Sequence, residues 1–142
     1  MLEALSISLN KFAVLGFLSY ILGAAVIFAL FQFVYTRMTP HKEFELIRAG
    51  NVSAAIALGG AIIGFAIPAS NVIAYSISLL DFVVWAVIAA VVQLLAFLMT
   101  SLVLKGVSER IRQGELAAGI YVAAVAISVG LLNAACMTPA QN

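Results

Sequence analysis

The sequence predicts an all-α polytopic membrane protein, in which four transmembrane helices form a tandem duplication of a two-helix hairpin. Composition indicates the class: 65% of the 142 residues are hydrophobic, and seven Lys and Arg with six Asp and Glu cannot cover a soluble globule. Residues 45–56 (ELIRAGNVSAAI) resemble residues 109–120 (ERIRQGELAAGI), 64 positions later. Because each copy leads into a long apolar stretch, the two turns should lie on one side of the bilayer.

The single membrane domain, residues 1–142, divides into repeat one at 12–78 and repeat two at 81–137. The first helix is expected at about 12–35. These residues carry no charge, and as a helix they would be ~36 Å long, which suffices to cross a ~30 Å hydrocarbon core. The preceding tail contains Glu3 and no Lys or Arg, so it does not resemble a signal peptide and we expect no cleavage. An interfacial helix and a frayed end are both compatible with residues 1–11.

The second helix is expected at about 51–78, with Pro68 inside it. One straight helix of this length would exceed the core, and proline removes a backbone donor, so a kink at Pro68 is favoured. The alternative is that residues 69–78 form a lip at the interface.

The third helix, about 81–104, is expected to begin at Asp81, whose carboxylate suits a helix start. The fourth, about 116–137, is followed by the helix breakers Thr138 and Pro139.

The cations predict the orientation, because Lys and Arg are retained on the cytoplasmic side. Lys11 alone precedes the first span, whereas the loops after the first and third spans contain Arg37, Lys42, Arg48, Lys105, Arg110 and Arg112. We therefore expect loops 36–50 and 105–115 in the cytosol and both termini in the periplasm (N-out/C-out).

Several segments together resemble the YjfL-like bacterial inner-membrane proteins, the domain of unknown function 350 family. These segments, which extend over essentially the whole chain, are residues 35–40 (YTRMTP), 46–51 (LIRAGN), 59–65 (GGAIIGF), Asp81 with Trp85, 93–95 (QLL) and 130–138 (GLLNAACMT). The resemblance implies tandem two-helix domains and a plasma-membrane location. It assigns no catalytic role, and through some relatives it implies membrane-stress proteins as a possible partner class.

Small residues predict where the helices pack, because close backbone approach supplies contact energy in lipid. Spans two and four should form the inner contact through Ala55, Gly59, Gly60, Gly64, Ala126 and Gly130. The alternative is that small residues are simply common in membrane helices.

Uncharged polar residues inside the spans need partners, since an unpaired amide in hydrocarbon costs several kcal/mol. The candidates for a polar pocket or permeation pathway are Asn71, Asp81, Gln93 and Asn133. The alternative for all four is interhelical hydrogen bonding, with Asp81 acting as a helix cap.

The repeated Glu-x-x-Arg predicts ion pairs at the inner surface, Glu45 with Arg48 and Glu109 with Arg112, because residues three apart share a helical face. A sharper interpretation is a docking surface, in which these pairs and Arg37, His41 and Lys42 face an acidic protein or anionic lipid.

No pattern in the sequence favours enzymatic chemistry. The single histidine, His41, and the single cysteine, Cys136, have no spaced companions, so we expect no catalytic residue, no metal ligand and no cofactor. No nucleic-acid signature is present.

Two hypotheses about function remain. The favoured one is a non-enzymatic scaffold or membrane-stress component whose cytosolic loops recruit a partner, because the most regular charged motif lies outside the lipid. The alternative is an oligomeric ion or small-solute channel lined by uncharged polar residues. Either is compatible with a homo-oligomer, which we expect.

Overall fold

The computed structural model describes residues 11–138, whose regular elements are all helical. The helices are α1 (Lys11–Met38), α2 (Glu43–Arg48), α3 (Val52–Tyr75), α4 (Leu79–Val103), α5 (Val107–Arg112) and α6 (Leu116–Cys136). Among the described residues, α1, α3, α4 and α6 are long and apolar enough to cross a membrane. The all-helical polytopic fold is therefore confirmed. The predicted behaviour of residues 1–10, and of Pro139, lies outside the described residues.

The turns that precede α3 and α6 have the same local structure. Helices α2 and α5 end at Arg48 and Arg112, and α3 and α6 begin at Val52 and Leu116, so each pair of bounds is 64 positions apart. Gly50 and Gly114 have φ values of +83° and +80°, a left-handed conformation that glycine adopts without steric cost. The helix starts differ: Asn51 Oδ1 accepts from the Ala54 amide at 2.9 Å, whereas the Glu115 side chain makes no such bond.

Helix α3 continues through Pro68 to Tyr75, so residues 69–75 are helical and do not form an interfacial lip. Pro68 has no N–H, which leaves the carbonyl of Gly64, four residues earlier, without its usual helical donor. Buried Pro68 faces the bundle, where neighbouring helices shield that carbonyl from lipid. Residues 76–78 then form the short connection to α4.

Ser78, not Asp81, is the N-cap of α4, which begins at Leu79. The Ser78 hydroxyl accepts from the Asp81 amide at 3.2 Å, and Asp81 Oδ2 accepts from the Ile77 amide at 3.2 Å. This reciprocal arrangement is close to a capping box. The predicted cap was wrong because the Ser78 hydroxyl, three residues before Asp81, takes the capping role that was expected of the Asp81 carboxylate.

Helices α3 and α6 make the most extensive contact in the bundle, and α4 packs against both. Contacts between α3 and α6 join residues 62–67 positions apart along their whole length, from Ser53 and Glu115 at one end to Asn71 and Thr138 at the other. The two helices are therefore parallel. Helix α1 is peripheral, since only its residues Ile27, Phe31 and Tyr35 are buried. One of them, Phe31, stacks on Phe65 of α3 with 4.3 Å between the ring centroids.

Candidate functional site

The α3–α6 interface brings together four of the residues that were expected to pack. A Cβ atom on Gly60 would lie 2.3 Å from Ala123 Cα, and one on Gly64 would lie 2.4 Å from the Ala126 carbonyl oxygen. A Cβ atom on Gly130 would lie 2.1 Å from the Gly64 carbonyl oxygen, the carbonyl that Pro68 leaves without a helical donor. No side chain fits at these positions, because the two backbones are already in contact.

Ala55 and Gly59 are not part of this interface, which corrects the prediction for these two positions. Ala55 is exposed, and a Cβ atom on Gly59 would meet nothing within 4 Å. The physical reason is helical phase: Gly59 is one residue, or 100°, away from Gly60, so both cannot face α6. The interface also contains Gly119 and Ala123, which were not among the predicted packing residues, although Gly119 follows Ala118 and precedes an alanine-rich run.

Gln93 lies at the centre of the bundle, where α3, α4 and α6 meet. Its side chain is 1% exposed, and Nε2 donates to the Ala126 carbonyl at 3.0 Å. A Cβ atom on Gly64 would lie 2.4 Å from that same nitrogen, so glycine is needed to admit the amide. Among the described residues Oε1 of Gln93 has no hydrogen-bond partner. Gln93 lines a cavity of about 10 Å³ together with Tyr35 and Thr100, a volume that suffices for about one water molecule.

Asn133 and Asn71 bond backbone carbonyls of other helices. Asn133 Nδ2 donates to the Ala89 carbonyl at 3.4 Å, and Asn71 Nδ2 donates to the Ala134 carbonyl at 2.6 Å and to Thr138 Oγ1 at 3.0 Å. Both amides thus join helices, α4 with α6 and α3 with α6.

The four residues predicted to share a polar pocket do not line one cavity. Asp81 lines a cavity of about 280 Å³ together with Trp85, Cys136 and Thr138, whereas Gln93 lines the cavity of about 10 Å³ at the centre of the bundle. Asn71 and Asn133 line neither of these two. The structure separates them because three of the four side chains are amides that are turned towards interhelical carbonyls.

The ion pairs at the opposite end, where α2 and α5 lie, differ from the prediction in repeat one. Glu109 and Arg112 pair at 2.8 Å, but Glu45 pairs with Lys42 at 2.9 Å in place of Arg48. Lys42 is also three residues from Glu45 and precedes α2, so it reaches the same carboxylate from the other direction. Arg48 forms no ion pair within residues 11–138.

Arg110 and Glu115 form a two-pronged pair that the sequence did not predict. Arg110 Nε donates to Glu115 Oε2 at 2.6 Å, and Nη2 donates to Oε1. This hydrogen bond from Arg110 lowers the pKa of the Glu115 carboxyl, and the same bond raises the pKa of Arg110. Repeat one has Leu46 and Asn51 at the equivalent positions, and Asn51 Nδ2 donates instead to the carbonyls of Ile111 and Arg112 at 2.9 and 3.1 Å.

His41 and Glu43 form a buried pair, which corrects the placement of His41 on an exposed docking surface. Their side chains are 2% and 1% exposed, and Nε2 of His41 lies 3.5 Å from Oε1 of Glu43. Neither nitrogen of His41 and neither carboxylate oxygen of Glu43 has a hydrogen-bond partner among the described residues. The sequence contains one signal for this pair: His41 and Glu43 are two residues apart, and side chains at that spacing can share a side when the residue between them, here Lys42, is not helical.

Beyond this pair, residues 11–138 gather no group of three His, Cys, Asp or Glu side chains around a common point. Cys136 is a free thiol at the C-terminal end of α6 and is exposed.

The family described as Domain of Unknown Function (DUF350) matches residues 6–137. UPF0719 inner membrane protein YjfL from Escherichia coli strain K12 is 36% identical over 126 residues, which are 89% of this chain and 96% of that protein, and the protein of the same name from Escherichia coli O157:H7 matches equally. No solved structure matches.

These matches confirm the resemblance drawn from the sequence segments. The relatives carry the name of an inner-membrane protein, and this chain supplies four helices that can cross a bilayer. The chain belongs to the DUF350 family and is a multi-pass inner-membrane protein.

Proposed function

We propose that the protein is a non-enzymatic membrane scaffold whose inner surface recruits a peripheral partner. The observation that carries the proposal is that the turns of the two repeats form one surface. Asn51 bonds the end of α5, and the Ser53 hydroxyl donates to the Glu115 carbonyl at 2.7 Å, so the second turn is tied to the first. A surface assembled from both halves of a chain is rigid enough to present a binding site.

A groove of about 460 Å³ lies between these turns. Leu46, Val52 and Leu116 give it apolar walls, and Arg112 lies at its edge. Arg48, on the same turn of repeat one, is exposed and forms no ion pair among the described residues. The chemistry favours a peripheral protein that offers an apolar side chain next to acidic residues, and the family resemblance suggests the membrane-stress class.

The channel alternative gains no comparable support. A channel shared between protomers needs polar side chains on the outer face of the bundle. Gln93 is enclosed within one protomer, and Asn71 and Asn133 bond carbonyls inside it. A homo-oligomer stays a prediction, which light scattering of the detergent-solubilised protein would test.

Site-specific photo-crosslinking in cells tests the scaffold proposal. A photoreactive amino acid at Gln113, in the groove, should capture one defined cytosolic polypeptide, and the same polypeptide should be captured from Ala49 on the facing turn. Arg48→Glu combined with Arg112→Glu should reduce both captures about tenfold or more, because charge reversal opposes an acidic partner. A photoreactive residue at Ser78, at the other end, is the matched control.

Capture of unrelated polypeptides from the two positions, or equal capture by the charge-reversed variant, would contradict the proposal. Flux measurements on liposomes containing the pure protein complete the design. The scaffold proposal expects no selective flux, and ion flux that Gln93→Leu abolishes would favour the channel instead.

A further inference from the structure

A cavity of about 280 Å³ lies at the end of the bundle opposite the charged turns. The ends of α3 and α6 and the first turns of α4 surround it, and its walls include Tyr75, Ser76, Asp81, Trp85 and Thr138. Ligand sites in proteins have volumes of roughly 300–1,000 Å³, so this cavity has room for a small organic molecule.

Three polar groups in these walls present hydrogen-bond acceptors. The Ser76 hydroxyl donates its hydrogen to the Val72 carbonyl. The Thr138 hydroxyl donates to the Ala134 carbonyl at 3.1 Å, so each hydroxyl has only lone pairs left to offer. The Asp81 carboxylate accepts one backbone amide and has further acceptor capacity. A ligand that donates hydrogen bonds therefore suits this lining.

The electrostatics of the cavity favour a positive charge. Asp81 forms no ion pair within residues 11–138, and no Lys, Arg or His of that part of the chain lines the cavity. Helices α3 and α6 both end here and only α4 begins here, so two negative helix ends meet one positive end. The described lining does not suit a zinc-class ion, because no three His, Cys, Asp or Glu side chains meet in it.

Two aromatic side chains give the cavity π surfaces. Trp85 follows Asp81 by about one helical turn, so the two side chains share a face of α4. Tyr75 lines the cavity from the end of α3. Both aromatic side chains are about half exposed, which leaves them accessible to a ligand. Aromatic rings attract ammonium groups through their negative faces, and such rings recognise quaternary ammonium ligands in particular.

We propose that this cavity binds the ammonium group of a small organic cation, with Asp81 as the counter-charge and Tyr75 and Trp85 as aromatic walls. The cation could come from two sources, the headgroup of a lipid such as phosphatidylethanolamine or a soluble amine. The proposal is independent of partner recruitment, because the cavity and the charged turns lie at opposite ends of the bundle.

Fluorescence tests the site directly, since Trp85 is the single tryptophan of the chain. Lipid-free protein in a non-ionic detergent and an amine-free phosphate buffer is titrated with choline and with ethanolamine. The emission of Trp85 should change and reach saturation. Dimethylbutanol, the uncharged isostere of choline, should produce no saturable change.

Three variants that retain Trp85 test the assignment of the lining. Asp81→Asn should weaken choline binding about tenfold or more, because it removes the charge that accepts from the ligand. Tyr75→Leu should weaken it about two- to fivefold through loss of one aromatic wall. Glu45→Gln is the matched control, since Glu45 is exposed on α2 at the other end of the bundle, and it should bind choline unchanged.

Nanodiscs distinguish the two sources of the cation. If phosphatidylethanolamine occupies the site, choline should change the emission in discs of phosphatidylglycerol alone and not in discs that also contain phosphatidylethanolamine. Equal responses in both discs would assign the site to a soluble amine.

The absence of a saturable response to choline and ethanolamine in detergent would overturn the proposal. An equal response to dimethylbutanol, or unchanged choline affinity in Asp81→Asn, would also overturn it. If Asp81→Asn fails to fold, the comparison of choline with dimethylbutanol and the Tyr75→Leu variant decide.

Discussion

Helices α1 and α6 are both apolar enough to span a membrane, yet they relate to the bundle in opposite ways. In α6, the buried residues recur at helical spacing from Ala118 to Asn133, and four of them approach the backbone of α3, namely Gly119, Ala123, Ala126 and Gly130. In α1 only three residues are buried, all in its second half, and Gly16 has nothing within 4 Å of its missing side chain. Hydrophobicity therefore places a helix in lipid, whereas small residues in the correct helical phase place it against another helix.

The largest expected effect comes from adding one methyl group at the α3–α6 contact. Gly130→Ala should lower the free energy of unfolding by roughly 2–3 kcal/mol, because the new Cβ atom would lie 2.1 Å from the Gly64 carbonyl oxygen and the backbones must separate. Denaturation with SDS in mixed micelles measures the change. Gly16→Ala and Gly59→Ala are matched controls, because a Cβ atom at either position would meet nothing within 4 Å. A loss of stability in these controls equal to that in Gly130→Ala would show that the close approach of α3 and α6 is not the cause.

The next largest loss of stability is expected at the turns that precede α3 and α6. Asn51→Ala should cost about 1–2 kcal/mol, because it removes the cap of α3 and both bonds to the end of α5. Glu115→Ala, at the equivalent position of repeat two, should cost less, since Glu115 makes no side-chain cap and its pair with Arg110 is exposed to solvent. The same SDS titration ranks the two variants, and a larger loss of unfolding free energy in Glu115→Ala than in Asn51→Ala would contradict this prediction.

A smaller effect is expected at the centre of the bundle. Gln93→Leu removes the hydrogen bond to Ala126, worth ~0.6 kcal/mol on average between membrane helices, and also removes the Oε1 atom that has no partner. We expect a net change below about 1 kcal/mol. Gln93→Glu is the contrasting variant and should cost about 2.5–3.5 kcal/mol, the insertion cost of a central charge. A large loss in Gln93→Leu would indicate that the amide has a role beyond packing.

The smallest effect is a pH dependence at the turn of repeat two. The pKa of Glu115 is lower in the folded protein than in the unfolded chain because Arg110 donates to its carboxylate. Its stabilising contribution is therefore present above the unfolded pKa and is lost as the pH falls through the lowered folded value. The thermal midpoint of Glu115→Gln should fall less on acidification than that of the unaltered protein. Identical acid profiles would show that this pair does not contribute.

The sequence was sufficient for those parts of the fold that depend on composition and periodicity. Four spans and the family followed from apolar runs and recognisable segments, since lipid restricts the chain to helices. The helix phase was harder: Gly59 and Gly60 are adjacent, and sequence spacing alone cannot say which of them faces α6. The burial of His41 against Glu43 was not predicted, because it depends on the tertiary position of the segment between α1 and α2.

We predict that the parallel helices α3 and α6 have both positively charged turns on the cytosolic side. Cysteine-accessibility labelling in a Cys136→Ser background tests this orientation, with Lys42→Cys and Arg110→Cys as reporters in the segments that precede α3 and α6. An impermeant reagent should label neither position in intact cells and both positions in inverted membrane vesicles. Labelling of positions 42 and 110 from opposite sides of the membrane would show that the two turns do not share a side.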